Sequence, residues 1–281
     1  TNEAGGVLDD VLVYRFESYH LLVVNASNRL KIVDWIEQHR AGFDVRAEDL
    51  TFGWSMLALQ GPRALELFSP LATADVSQLT YYFACETSVL GVPSLVSRTG
   101  YTGEDGVEVM LPAAHSQVLW DELIDRGGSI GLVPCGLGCR DTLRLEAAMP
   151  LYGHELSEAT DPITAGLAFA VKPQSKDFIG KSALLAMPQP PAKRRVGLVL
   201  SGRRIAREGS QVFAGETSEP AEVIGEVTSG TFSPTLEKSI AMAYVAREFA
   251  VIGRSIEVDV RSKREPATIV ELPFYRRSSG A

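Results

Sequence analysis

Two stretches of this chain carry residue types that could act on a flat, polar, nitrogen-rich ligand. Tyr101-Thr-Gly-Glu-Asp-Gly-Val-Glu108 ends on a carboxylate set among apolar neighbours, and 32 residues later Arg140-Asp-Thr-Leu-Arg-Leu-Glu-Ala-Ala-Met-Pro-Leu-Tyr-Gly-His154 begins on a guanidinium. A third piece, Gly5-Gly-Val-Leu-Asp9-Asp10, sets two carboxylates side by side after a turn signal. A carboxylate can accept two parallel N–H bonds, and a planar guanidinium can clamp a carboxylate or stack on a conjugated ring.

Each of these residues also has a plain structural explanation. Glu108 alternates with Val107, Val109 and Leu111, so it points away from one apolar layer and towards either solvent or a second layer. Glu104 and Asp105 read as exposed turn formers. Arg140 and Arg144 share a helix face and could simply pair with Asp141 or Glu146 at the surface. Asp9 and Asp10 precede Val11, Leu12 and Val13, and adjacent strand residues face opposite ways, so only one of them can point inward. Tyr101 fits core packing as well as stacking on a ligand. His154 suits a structural hydrogen bond better than proton transfer.

Several function classes are disfavoured. The net charge of −8 disfavours nucleic acid, because a binding face for phosphate needs clustered Lys and Arg. No apolar run is long enough to cross a bilayer, and the polar start lacks the features of a signal peptide, which implies a soluble, intracellular protein. Three cysteines, Cys85, Cys135 and Cys139, argue against a disulfide framework and fit a reducing compartment. Cys135 and Cys139 lack a second metal-binding pair and read as small buried residues, so no metal is expected. No serine nucleophile elbow, phosphate loop or zinc signature occurs.

The elements that must hold these residues alternate between strand and helix. Val7 to Phe16 reads as a strand, with Thr1 to Glu3 as the tail of a preceding one. Val11 to Phe16 and Tyr19 to Val24 make a hairpin-like pair, after which Asn28 caps a helix whose stripe Leu30, Val33 and Ile36 should pack on a sheet. Ser55 to Leu59 is a strand, and Gly61-Pro62 opens a short helix with proline first. Strands Val89 to Arg98 and Val107 to Leu111 flank a glycine-rich turn. Ser116 to Asp125 is a helix stopped by Gly127-Gly128, and Gly138 to Ala148 is another.

A proline-rich, charged linker, Met187 to Arg195, then changes the pattern. Beyond it come short strands at Val196 to Leu200, Val223 to Thr228, Ile240 to Val245, Ile256 to Val260 and Ala267 to Glu271. Residues 192–281 carry 14 Lys and Arg against 11 Asp and Glu, whereas residues 1–191 carry 13 against 24. The expected architecture is α+β, with a sheet-and-helix region over 1–187 and a linker with a small C-terminal β-barrel over 188–281.

With these three motifs in that order, the chain resembles the T proteins of the glycine cleavage system, tetrahydrofolate-dependent aminomethyltransferases, over essentially its whole length. The resemblance implies a folate-binding region of the aminomethyltransferase type, tetrahydrofolate as co-substrate, and lipoylated H protein as partner, with neither nucleic acid nor membrane. It assigns Asp10 as the essential aspartate and Glu108 and Arg140 as folate-holding residues. Asn25 and Tyr101 stand near the folate, and Tyr275 and Arg276 lie in a tail that reaches back to the pocket. Family members carry a further segment before Gly5, so the chain reads as an N-terminally truncated polypeptide whose activity alone is doubtful. The bacterial cytoplasm is the favoured compartment, with the mitochondrial matrix the eukaryotic equivalent. The same fold also serves as the folate domain of sarcosine- and dimethylglycine-oxidising flavoenzymes, and as a non-enzymatic folate-binding helper in iron–sulfur cluster maintenance.

Overall fold

A computed structural model describes residues 1–174, 176–215 and 222–277. The chain forms two compact units, one of residues 1–12, 23–32 and 141–278 and the other chiefly of residues 13–22 and 33–140.

The second unit is built on a four-stranded antiparallel sheet. Its strands are β3 (Trp54–Gln60), β4 (Ala84–Val89), β5 (Val92–Ser97) and β6 (Gly106–Pro112), in the order β3-β6-β5-β4. A hairpin, β1 (Leu12–Arg15) and β2 (His20–Val23), and a helix, α1 (Arg29–His39), precede it. The alternation expected in β6 is present: Val107, Val109 and Leu111 point into one core with Leu59, Leu67 and Phe68. Leu119 and Leu123 join that core from α3 (Ser116–Gly127), and α2 (Ala64–Phe68) supplies Ala64, Leu67 and Phe68. Burying such side chains contributes about 1.5 to 3 kcal/mol each, so this layer fixes the register of β6. Glu108 is then committed to the other face, opposite Ala58 on β3 and Ser97 on β5.

The first unit contains a closed six-stranded barrel in the order β10-β7-β12-β11-β8-β9. These are β7 (Lys193–Leu200), β8 (Gln211–Phe213), β9 (Val223–Ser233), β10 (Lys238–Ala246), β11 (Ser255–Asp259) and β12 (Arg264–Val270). Leu198, Val212, Val227, Ala243, Val258 and Ile269 fill its interior. Outside the barrel lie α5 (Lys181–Ala186) and the last turns of α4 (Leu137–Glu146), whose buried residues are Arg144, Leu145 and Glu146.

Several local expectations need correction. Thr1 and Asn2 are irregular and lead into a turn at Glu3 and Ala4 rather than forming a strand tail, and of Val7 to Phe16 only Leu12–Arg15 is strand. The reason is that Val7 donates its N–H to Ser157 O and Thr160 O at 3.1 and 3.0 Å instead of to a sheet ladder. The turn before it needs its glycines: Gly5 has φ +86°, and a Cβ on Gly6 would lie 1.8 Å from Glu158 O. In α1 the buried residue is Ile32, while Leu30 is 67% exposed, so the predicted stripe is not the packed one. Helix α2 begins at Ala64 rather than at Pro62, and α3 runs on through Gly127. Strands β4 and β8 were not foreseen, because one is polar and the other only three residues long. Cys135 and Cys139 are exposed rather than buried.

Candidate functional site

Within the second unit, Glu108 is 5% exposed and sits at the centre of the sheet. The solvated strand position that its pattern allowed is therefore not what the fold provides. Thr99 Oγ1 donates to Glu108 Oε2 at 2.5 Å, and Thr99 is bonded in turn to Ser97 Oγ at 2.6 Å and Tyr14 OH at 3.3 Å. Among the described residues, Glu108 Oε1 accepts no hydrogen bond. Its sheet neighbour on the β3 side, Ala58, is exposed, whereas Ser97 on the other side is fully buried.

The glycine-rich turn before Glu108 is held from two directions. Gln60 Nε2 donates to Thr99 O and Val107 O at 3.1 and 3.3 Å and accepts from Thr102 Oγ1 at 3.0 Å. A Cβ on Gly100 would fall 1.9 Å from Gln60 Oε1, so the side chain lies across the turn where no larger residue fits. Arg98, 8% exposed, pairs with Asp105 at 2.6 Å and also donates to Ser77 O and Leu79 O, both at 3.3 Å. Asp105 is thus a half-buried anchor rather than an exposed turn former. Neither Gln60 nor Arg98 was singled out by pattern, since an isolated polar residue at a strand end carries no periodic signal.

On the same unit Arg140 is exposed, and its guanidinium lies 4.8 Å from the centroid of the Tyr101 ring. That is cation–π distance, and it presents two flat surfaces together. Before β4, Tyr81, Tyr82 and Phe83 form an exposed aromatic run, with the Tyr81 and Tyr82 rings edge to face at 4.6 Å. Tyr82 has φ +69°, an uncommon conformation for a bulky residue. The triple aromatic was visible in the sequence as composition alone.

In the first unit, Asp9 and Asp10 both reach Asn25. Asn25 Nδ2 donates to Asp9 Oδ1 and to Asp10 Oδ1, each at 2.7 Å. The expectation that the two carboxylates face opposite ways fails, because residues 9 and 10 are not in a strand. Asp9 also accepts from Asn25 N at 3.0 Å and Asn28 Nδ2 at 2.6 Å, which uses the Asn28 side chain that was expected to cap α1. Asp10 stands at an open face, yet the surrounding protein removes enough water to raise its pKa to about 6. The Asn25 bond opposes that rise, and the adjacent Asp9 charge adds to it.

Other predicted residues lie in the first unit as well. Arg144 is 1% exposed and is held by Asp141, Glu155, Ser229 Oγ and Met149 O. It is a buried clamp, not a surface ion pair. His154 Nδ1 lies 3.1 Å from Thr228 O and 3.2 Å from Glu208, a structural arrangement. Tyr275 is half-buried and donates its backbone N–H to Glu146 O at 2.8 Å, while the exposed Arg276 donates to Leu272 O at 3.4 Å. Among the described residues, no group of His, Cys, Asp and Glu could hold a metal ion, and no helix is long and apolar enough to cross a membrane.

Comparison with known proteins gives these features a family. The GCVT N-terminal domain matches residues 1–175, and the glycine cleavage T-protein C-terminal barrel domain matches residues 193–276. An aminomethyltransferase of Streptomyces coelicolor is 47% identical over 98% of this chain and 74% of that protein, and one of Symbiobacterium thermophilum has the same identity and coverage. The crystal structure of glycine cleavage system aminomethyltransferase T from Bartonella henselae superposes with a TM-score of 0.87 at 32% identity. That match covers 98% of this chain and 74% of that one. These matches do not favour a flavoenzyme folate domain or a non-enzymatic helper. With both domain types in order and relatives of one activity along nearly the whole chain, the protein belongs to the glycine cleavage T-protein family of aminomethyltransferases.

Proposed function

We propose that the chain moves the methylene of an aminomethyl group, carried on the lipoyl arm of H protein, to tetrahydrofolate. The carbon leaves sulfur and its amino nitrogen and becomes bonded to N5 and N10 of the folate. The two folate N–H protons are balanced by one on the reduced lipoyl sulfur and one on the departing ammonia. No electron is gained or lost overall, so neither metal nor redox cofactor is needed for the balance.

Glu108 is the observation that carries the reading. A carboxylate only 5% exposed in the middle of a sheet, with Oε2 tethered by Thr99 and Oε1 on the side where the neighbouring Ala58 is exposed, can accept donors from a ligand that displaces solvent there. Two parallel N–H groups on the amino-pyrimidine edge of a pterin supply such donors. Arg140 over Tyr101 offers a flat cationic surface suited to holding a conjugated ring or a folate carboxylate. Tyr275 and Arg276, in the C-terminal tail, are assigned to folate binding on family resemblance.

Asp10 is assigned to the chemistry. Among the described residues, Asn25 is the side-chain donor to its carboxylate, and the residue itself is exposed. It would orient the reacting nitrogens and stabilise positive charge on the transferring carbon. We place the reaction in the cytoplasm, with the mitochondrial matrix as its eukaryotic counterpart.

The test is ammonia release from aminomethyl-loaded H protein, with and without tetrahydrofolate. The expected result is release that is strongly accelerated by the folate and accompanied by methylene-tetrahydrofolate in equal amount. Ammonia without folate product, or no dependence on loaded H protein, would overturn the reading.

A further inference from the structure

We propose that Thr99 is a positioning residue that aims the Glu108 carboxylate at the folate, through a buried chain of hydroxyls running from Tyr14 and Ser97. The inference rests on the assignment of Glu108 as the pterin acceptor.

A threonine hydroxyl has one hydrogen and two lone pairs, and Thr99 Oγ1 has three partners: Glu108 Oε2 at 2.5 Å, Ser97 Oγ at 2.6 Å and Tyr14 OH at 3.3 Å. An ionised carboxylate can only accept, so the single hydrogen of Thr99 goes to Glu108. With that hydrogen spent, Thr99 can only accept from Ser97 at 2.6 Å and from Tyr14 at 3.3 Å; Ser97 Oγ also has the more distant Glu108 O at 3.5 Å as an acceptor. The shortest contacts therefore run from Ser97 through Thr99 to the Glu108 carboxylate.

Burial makes this arrangement consequential. Ser97 is fully buried, and Thr99, Tyr14 and Glu108 are 2%, 6% and 5% exposed. At Ser97 and Thr99 little water can enter to replace a missing donor, and hydrogen bonds to a charged group are stronger in such surroundings than at a surface. The Tyr14 hydroxyl is pushed above the usual tyrosine range, first by burial, with the Glu108 charge also contributing, so it keeps its proton and serves as donor.

Backbone geometry supplies the lever. Ser97 is the residue of β5 that faces Glu108 across the ladder, and Thr99 follows two residues later, where Gln60 pins the Thr99 carbonyl. The hydroxyl is thereby fixed to the sheet that carries its acceptor. With Oε2 held, the plane of the carboxylate is set and Oε1 is presented. Oε2 keeps a lone pair for a second N–H, so a bidentate ligand edge can still be received.

The experiment measures tetrahydrofolate affinity by calorimetry, and kcat at saturating folate, on the full chain. Thr99→Val keeps the shape and removes the hydroxyl; Thr99→Ser keeps the hydroxyl; Glu108→Gln tests the underlying assignment. Affinity should fall roughly 10-fold or more in Thr99→Val and recover to within about threefold of the parent in Thr99→Ser, with kcat nearly unchanged in both. If valine prevents folding, Thr99→Ala removes the same hydroxyl without the added branch and should show the same loss. Weakened binding in Glu108→Gln with parental affinity in Thr99→Val or Thr99→Ala overturns the positioning role alone. Equal losses in the serine and hydroxyl-free variants also overturn it, since packing rather than the donor would then be responsible. Parental affinity in Glu108→Gln overturns the pterin assignment and the inference with it.

Discussion

Arg144 and Glu155 are joined at 2.9 Å in the interior of the first unit, with side chains 2% and 0% exposed. Leu151 N also donates to Glu155 Oε2 and Thr228 Oγ1 to Oε1, while Ser229, Met149 O and Asp141 take the rest of the arginine. The pair therefore fastens the segment after α4 to strand β9. Removing one member leaves the other charged and dry, so Arg144→Met should cost about 3 to 5 kcal/mol. Adding Glu155→Gln should restore part of the loss. Urea denaturation of the single and double variants checks this, and an additive further loss in the double would contradict it.

Glu108→Gln retains the size of the side chain but gives up the charge-assisted acceptor. Tetrahydrofolate affinity should drop roughly 10- to 150-fold, corresponding to about 1.5 to 3 kcal/mol. Arg140→Lys keeps a positive charge and loses the planar group over Tyr101, so its effect should be smaller, about 0.5 to 2 kcal/mol. Calorimetry on both variants ranks them; an unchanged affinity for Glu108→Gln would return that residue to a structural role.

Asp9→Asn and Asp10→Asn should move stability in opposite directions at neutral pH. Asp10 binds its proton more tightly folded than unfolded, because its pKa rises from 3.8 to about 6. Its contribution is favourable below the unfolded value and is lost as pH climbs through about 6, so at pH 7 the charge burdens the fold. Asp10→Asn removes that burden and should raise Tm at pH 7, with the gain vanishing below about pH 4. Asp9 is the acceptor for two asparagines and a backbone N–H, so Asp9→Asn should lower Tm. Thermal melts from pH 3.5 to 8 decide it.

Activity separates the same two residues. If Asp10 acts where positive charge develops, Asp10→Asn should lower kcat by about two orders of magnitude while folate affinity changes little. A smaller kcat effect is expected from Asp9→Asn at temperatures where it remains folded. Equal or larger loss in the Asp9 variant would transfer the catalytic role to Asp9.

The thiols give a simple check on the surface. Cys135 and Cys139 are exposed, whereas Cys85 is half-buried and its thiol is pushed up by burial. Maleimide should label the first two within the time that leaves Cys85 mostly unmodified, since the thiolate is the reactive form. Mass spectrometry of the labelled peptides reads the order.

What could be read from the sequence was local and periodic. The alternation of Val107, Val109 and Leu111 with Glu108 gave the right strand and the right face, and the barrel strands around Leu198, Val227, Ala243 and Ile269 were found the same way. Alternation says which side a residue faces but not what covers that side, so the burial of Glu108 was undetermined. The stripe Leu30, Val33 and Ile36 misled for a related reason: helical spacing marks a possible face, and packing chose the one with Ile32. Asp9 and Asp10 escape the strand rule because the chain there is not a strand and both carboxylates meet Asn25. Arg98, Gln60 and Thr99 were invisible, since their roles come from partners distant in sequence.

Closing the barrel leaves it without a free strand edge, and it also makes one seam weaker than the others. Strand β8 spans only Gln211–Phe213, with β9 on one side and β11 on the other, while β7 and β10 run together from Ile240–Val199 to Ala246–Lys193. Opening at β8 breaks the fewest ladder bonds, so thermal fluctuation should concentrate there. In heavy water the amides of β8 and its flanking partners would exchange ahead of those along β7 and β10. Such an opening momentarily turns a closed cylinder into a curved ribbon with two edges ready to pair with another chain. Where this barrel would first expose an edge is thus decided by a strand of three residues rather than by the size of its core.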